Sequence, residues 1–244
     1  MKRVFLWPLL ASVFSFPVTA EESPVALNEY SAFGNVVVFD ELPNVAWLFG
    51  EIQPDDYFHF RRIARRNSIE VVALASPGGS VYEALQIGAM VHDRNISTYI
   101  PSDAICASAC SYIFLAGNSR LINGSLGVHQ FYGDGSPAAL SETQFTVSEI
   151  VGFLNEFDTP PMVFEFMFQN AEMYYFSDAE VGVIERVSAF DEDKIIDSGL
   201  LTRIDEIFLD ILELEDEGYV DETAGQSAIQ EPEVRADPEP EPDN

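Results

Sequence analysis

The stretch Ile69–Ala75 is apolar at every position except Glu70, and Ser76-Pro77-Gly78-Gly79 ends it. A strand that is apolar on both sides belongs inside a sheet covered on both faces, the usual setting of parallel strands. Parallel pairing needs a crossover, and Val81–Asp93 supplies one with helical character before Ile96–Ile100 resumes as a strand. Upstream, Asn35–Phe39 and Val45–Phe49 are short β-branched and aromatic runs, and Gln53-Pro54-Asp55-Asp56 opens a helix that runs to about Asn67. Its end carries Arg61, Arg62, Arg65 and Arg66, which suit a helix C-terminus, with an anion site as the alternative. Downstream, a small-residue segment leads into a helix at Ser111–Ala116. Leu126–Val128 then forms a strand, and Ser141–Phe157 and Met162–Gln169 form helices split by Pro160-Pro161. This order predicts an α/β domain with a mostly parallel sheet and right-handed crossovers.

Both ends of the chain fall outside that pattern. Lys2 and Arg3 precede the apolar stretch Val4–Phe16, Pro17 breaks it, and Val18-Thr19-Ala20 places small residues before a cleavage point. Residues 1–20 are therefore expected to be a signal peptide cleaved after Ala20, sending the product to the periplasm or out of the cell. No later stretch is long enough to span a bilayer, so no membrane span is expected after cleavage. At the other end, residues 215–244 are expected to be a disordered acidic tail, with prolines at 232, 238, 240 and 242 set between acids. That leaves residues 21–214 as one domain. With 12 Lys+Arg against 41 Asp+Glu in 244 residues, the chain lacks the cations that nucleic-acid binding requires.

Chemistry concentrates between Ser76 and His129. Ser108 stands in Cys106-Ala107-Ser108-Ala109-Cys110, where small neighbours allow a sharp turn into an apolar helix. A helix start there offers unpaired N–H groups to developing negative charge. Taken alone, a serine among alanines is usually just a small residue in a tight packing site. The paired glycines of Ser76-Pro77-Gly78-Gly79-Ser80-Val81 allow close backbone approach, or merely a turn. The lysine of a phosphate-binding loop is missing. His129 ends a strand in Gly127-Val128-His129-Gln130, whereas His59 and His92 lie within helices and carry no assigned role. Cys106 and Cys110 are the only cysteines. In an exported chain they suggest a disulfide, with two small buried thiols as the alternative. Zinc is not expected from two sulfurs without further clustered ligands, so no metal or cofactor is assigned.

Taken in order, VAWLFGEI, ALASPGGSVYEALQIGAMV, STYIPSDAICASACSYIFLAG and GVHQ resemble the proteolytic subunit of Clp protease. More narrowly, they resemble exported bacterial Clp-protease-like proteins with a Cys-Ala-Ser-Ala-Cys segment. The resemblance spans roughly Val45 to Gln130. It implies the ClpP/crotonase-like fold, built of repeated β-β-α units, and a serine peptidase acting on peptide or protein substrates. By that resemblance Ser108 is the nucleophile and His129 the general base. The backbone N–H groups of Gly79 and Ala109 form the oxyanion hole, and Gly78, Ser80 and Val81 help hold an extended substrate. A homo-oligomer is implied too. An exported protein has no ATP for a Clp-type ATPase partner, so none is expected. The family's third triad member, an aspartate, falls on Met173 in one alignment and Val187 in another, which leaves Glu172 and Asp178 as shifted candidates. A catalytically inactive peptide-binding or scaffold protein is the alternative function. An acyl-CoA enzyme of the crotonase branch fits neither export nor the Ser108/His129 placement.

Overall fold

The computed structural model describes residues 30–131, 137–186 and 199–216, with side chains described throughout except at 137–142 and 214–216. The expected signal peptide, Val187 and the segment from 217 onward lie outside the described residues.

A hairpin of β1 (Tyr30–Phe33) and β2 (Val36–Phe39) pairs antiparallel with β3 (Val45–Phe49). The next three strands of this sheet are all parallel: β4 (Val71–Ala75), β5 (Ser97–Ile100) and β7 (Arg120–Ile122), in the order β1-β2-β3-β4-β5-β7. A smaller sheet holds β6 (Ile105–Ala107) parallel to β8 (Ser125–Val128), with β9 (Tyr174–Tyr175) antiparallel on the far side. Seven helices complete the described residues: α1 (Asp56–Arg66), α2 (Val81–Asp93), α3 (Ala109–Leu115), α4 (Pro137–Asn155), α5 (Pro161–Gln169), α6 (Asp178–Ile184) and α7 (Leu200–Asp216). None of the described helices is long and apolar enough to cross a membrane.

The repeated β-β-α unit is visible in this connectivity. β5 joins the large sheet, β6 the small one, and α3 returns; β7, β8 and α4 repeat the sequence. β4 and α2 form a reduced version, in which Ser76 bridges Cys106 of β6 and Gly79 bridges Ile52. The small sheet is thus extended by single residues of the earlier units. Its strands end on one side of the molecule, which gathers the loops containing Gly79, Ser108 and His129.

Burial explains why the chain commits to this layout. Residues 45–48 and 71–74 are fully buried, as expected of strands covered on both faces, and every residue of α3 is buried. Side chains such as Phe114 and Ile113 each contribute roughly 1.5–3 kcal/mol on leaving water, so α3 anchors the centre. α7 docks through the Asp205 carboxylate, which accepts from the Tyr99 hydroxyl at 2.8 Å and from the Ser102 N–H at 2.9 Å. Burial and that carboxylate hold the Tyr99 hydroxyl well above the ordinary phenol range.

The structure departs from the sequence reading in four places. α1 begins at Asp56 rather than at Pro54, with Asp55 left-handed at φ 76°. The buried Asp56 carboxylate accepts the Gln53 N–H at 2.7 Å and so closes the loop ahead of the helix, while Asp55 at the N-cap position makes no side-chain cap. The third helix starts at Ala109, two residues before the expected Ser111, because the turn is completed at Ser108. The strands β6 and β7 are three residues each, too short for alternation to show. Finally, α7 continues through Glu215 and Asp216, two residues into the segment expected to be tail. Its apolar spacing, Leu201, Ile204, Ile207, Phe208 and Ile211, outweighs the acidic composition.

Candidate active site

Ser108 joins β6 to α3 in a conformation that L residues rarely adopt, φ 55° and ψ −127°. Such a backbone costs on the order of 1–3 kcal/mol and persists only where the surroundings over-determine it. Here they do. The Ser108 N–H donates to Gly127 O at 3.1 Å and the Ala107 N–H to Ser76 O at 3.0 Å, and the Ser111 hydroxyl donates to Ser108 O at 2.6 Å. The turn puts the half-buried Ser108 hydroxyl on the open side of the sheet and the Ala109 N–H at the first position of α3. A first-turn N–H has no acceptor inside its own helix.

His129 follows β8, whose pairing with β6 brings the two loops together. Ser108 Oγ and His129 Nε2 lie 2.7 Å apart. His129 Nδ1 lies 3.0 Å from Gln130 O. A carbonyl oxygen only accepts, so Nδ1 carries the proton and donates it. Nε2 then has a lone pair for the serine proton, the arrangement a neutral imidazole needs to act as a base.

The glycine segment flanks this pair. Gly78 has φ 105° and Gly79 φ 137°. Ile52 N–H donates to Gly78 O at 2.7 Å and Ser80 N–H to Ile52 O at 2.9 Å. Both bonds lie on the Ile52 side, so Gly79 turns its own N–H and C=O away from Ile52. Val81 opens α2 and likewise has an N–H without an intrahelical acceptor, while the Ser80 side chain caps the helix by accepting from the Glu83 N–H at 3.4 Å. The main-chain donors of Gly79 and Val81 are thus left without a partner in the Ile52 bridge or in α2, whereas Ser80 is used by both.

Cys106 and Cys110 are joined by a disulfide, with both residues buried and their Cα atoms 5.3 Å apart. The geometry differs from a purely helical pair, since Cys106 lies in β6 and Cys110 in α3. The bond closes a ring of five residues around Ser108. The Cys106→Ala/Cys110→Ala double variant is expected to lose about 2 kcal/mol, at the low end for disulfides because the loop is short. Urea unfolding of the two proteins checks it, and a change within error of zero would show that the turn holds without the staple.

Glu172 and Asp178 are not brought to the histidine. Glu172 is exposed in the turn before β9, Asp178 is exposed at the start of α6, and neither is hydrogen-bonded or ion-paired to His129. Continuing the β8–β9 register by one residue sets Met173 opposite His129. Two contributors escaped the sequence reading. The Gln130 carbonyl that orients His129 is main chain and leaves no residue-type signal. Ser76, buried, accepts the Gly78 N–H at 3.1 Å and ties the glycine segment to β6; its place before Pro-Gly-Gly was the available hint.

No protein-family model and no curated protein sequence matches the chain. Among solved structures it is similar to a variant of the 1510-N membrane-bound stomatin-specific protease, at 23% identity and a TM-score of 0.45, over 58% of this chain and 76% of that one. A second variant of that protease, in complex with a substrate peptide, gives 23% identity and a TM-score of 0.45 over 58% of this chain and 72% of that one. A variant of ClpP1 from Listeria monocytogenes gives 16% identity and a TM-score of 0.44, over 59% of this chain and 88% of that one.

Proposed function

We propose that the chain is an exported serine peptidase-like hydrolase that acts on peptides without ATP. The observation that supports it best is the 2.7 Å contact between Ser108 Oγ and His129 Nε2 on a strained, disulfide-bracketed turn. His129 Nε2 takes the serine proton while Nδ1–H stays on Gln130 O, and Oγ adds to the scissile carbonyl. The N–H groups of Gly79 and Ala109 receive the oxyanion. The imidazolium then protonates the leaving amine, and a water activated by the same histidine releases the acyl group. Main-chain pairing along Gly78–Val81 holds the substrate extended, with Gly79 and Val81 as donors, so recognition leans on peptide backbone. Export removes the chain from ATP and from any Clp-type ATPase, and a homo-oligomer is part of the same reading.

A fluorophosphonate probe tests it directly on the chain from Glu21 onward. Stoichiometric labelling that maps to Ser108 and disappears in Ser108→Ala is the expected result. Folded wild-type protein that takes no label would sink the hydrolase reading and favour a silent peptide-binding protein.

A further inference from the structure

α1 carries Arg61, Arg62, Arg65 and Arg66 within six residues, four of the nine Lys+Arg between positions 21 and 204. The other described cations are engaged. Arg203 pairs with Glu41 and Glu206, Arg186 with Asp158, Arg94 donates to Ala64 O, and Arg120 is buried on the Leu115 and Phe157 carbonyls. None of the four α1 arginines is ion-paired among the described residues. Arg62 and Arg66 instead lie over the Phe33 ring, at 4.2 and 5.5 Å. With Phe58, which is 57% exposed, the four arginines line an open concavity of about 250 Å³.

The helix dipole accounts for Arg65 and Arg66 in the last turn, but not for Arg61 and Arg62. Arg61–Arg65 and Arg62–Arg66 are like-charge pairs at i,i+4, which weaken a helix. No acid occupies a helical position three or four residues from any of them, in a chain with 41 acids. The face is self-repelling and lacks a counter-charge in the described fold.

We propose that this face docks the chain's own C-terminal segment, Glu231–Asp243, in cis. That segment carries Glu231, Glu233, Asp237, Glu239, Glu241 and Asp243 against Arg235 alone. From Asp237 on, acids alternate with prolines. Docked as a polyproline-type backbone, which rises about 3.1 Å per residue, the segment would set successive acids about 6 Å apart along its axis. Residues four apart on a helix are also about 6 Å apart, so the two charge ladders are commensurate. α7 and α1 are also linked through the β1–β2 hairpin. Phe208 of α7 stacks on Phe49 at 6.4 Å, Phe49 N–H donates to Asn35 O, and the hairpin containing Asn35 also carries Phe33 beneath Arg62. Twenty-eight residues run from 217 to 244, and a random coil of that length spans about 30 Å on average, enough for an effective concentration in the millimolar range.

The test uses the chain from Glu21 onward and a variant with all six acids neutralised (E231Q, E233Q, D237N, E239Q, E241Q and D243N), which leaves the folded domain untouched. Phenylglyoxal modification of each arginine is followed by peptide mass mapping, alongside mass from light scattering. At about 20 mM salt the four α1 arginines are expected to react several-fold more slowly in the wild type than in the variant, with Arg186 unchanged. At about 0.5 M salt, where screening is strong, the difference is expected to vanish. Equal rates at low salt would overturn the proposal. Protection that appears only with a doubling of mass would overturn docking in cis in favour of a second copy.

Discussion

Alanine in place of His129 is expected to lower kcat for peptide hydrolysis roughly 10⁴-fold or more, about 5.5 kcal/mol of transition-state stabilisation, with KM little changed. His129 is half-buried just after β8 and contacts Ser108 Oγ and Gln130 O, so removing it takes away the proton acceptor. Substrate binding falls to the Gly79 and Val81 main chain, which the substitution does not touch. Because nucleophile and base act as a unit, Ser108→Ala/His129→Ala should be no slower than either single variant. Steady-state kinetics on a quenched-fluorescence peptide library would read both effects. Retention of more than a tenth of wild-type kcat in His129→Ala would remove the histidine from the chemistry.

Much of this architecture can be read along the chain, and the parts that cannot have identifiable causes. β4, the glycine turn and α2 were legible because a long apolar run, a Pro-Gly-Gly stop and a helical pattern agree with one another there. β6 was not, since Ile105–Ala107 is held by pairing with β8 and by Ser76, both remote in sequence. α7 was hidden by its acids, although its apolar stripe packs on Phe49 and Tyr99's partner Asp205 lies within it. The site was legible where it depends on residue type: Ser108, His129 and the glycines each stand in a distinctive local string. It was not legible where main chain acts. An aspartate is what the family resemblance implies for orienting the histidine; of the two positions it aligns with, Met173 is described and is no carboxylate, Val187 lies outside the described residues, and the Gln130 carbonyl accepts from Nδ1–H. No pattern of side chains announces a carbonyl.

Gly78→Ala should be strongly damaging, because the added methyl group would press directly on the Ser108 turn. A Cβ there would lie 2.7 Å from both Ala107 O and Ser108 Cβ and 3.0 Å from Ala109 N, on a backbone at φ 105°. None of these neighbours is the tip of a flexible side chain. Relief therefore has to come from moving the β6–α3 turn itself, which carries both the nucleophile and an oxyanion donor. Losing alignment of one such donor costs about 2.7–4 kcal/mol in catalysis, and the left-handed backbone adds a further 1–2 kcal/mol, roughly, of folding strain. Gly78→Ala is thus expected to lower the rate of probe labelling by about 10²–10³-fold and to reduce stability in urea. Gly152→Ala is the matched control. That glycine sits on the exposed face of α4 with nothing within 4 Å of an added Cβ, so alanine should stabilise the protein by up to about 1 kcal/mol and leave labelling unchanged. If Gly78→Ala labelled as fast as Gly152→Ala, close packing of the glycine segment against the Ser108 turn would not be what positions the reacting groups.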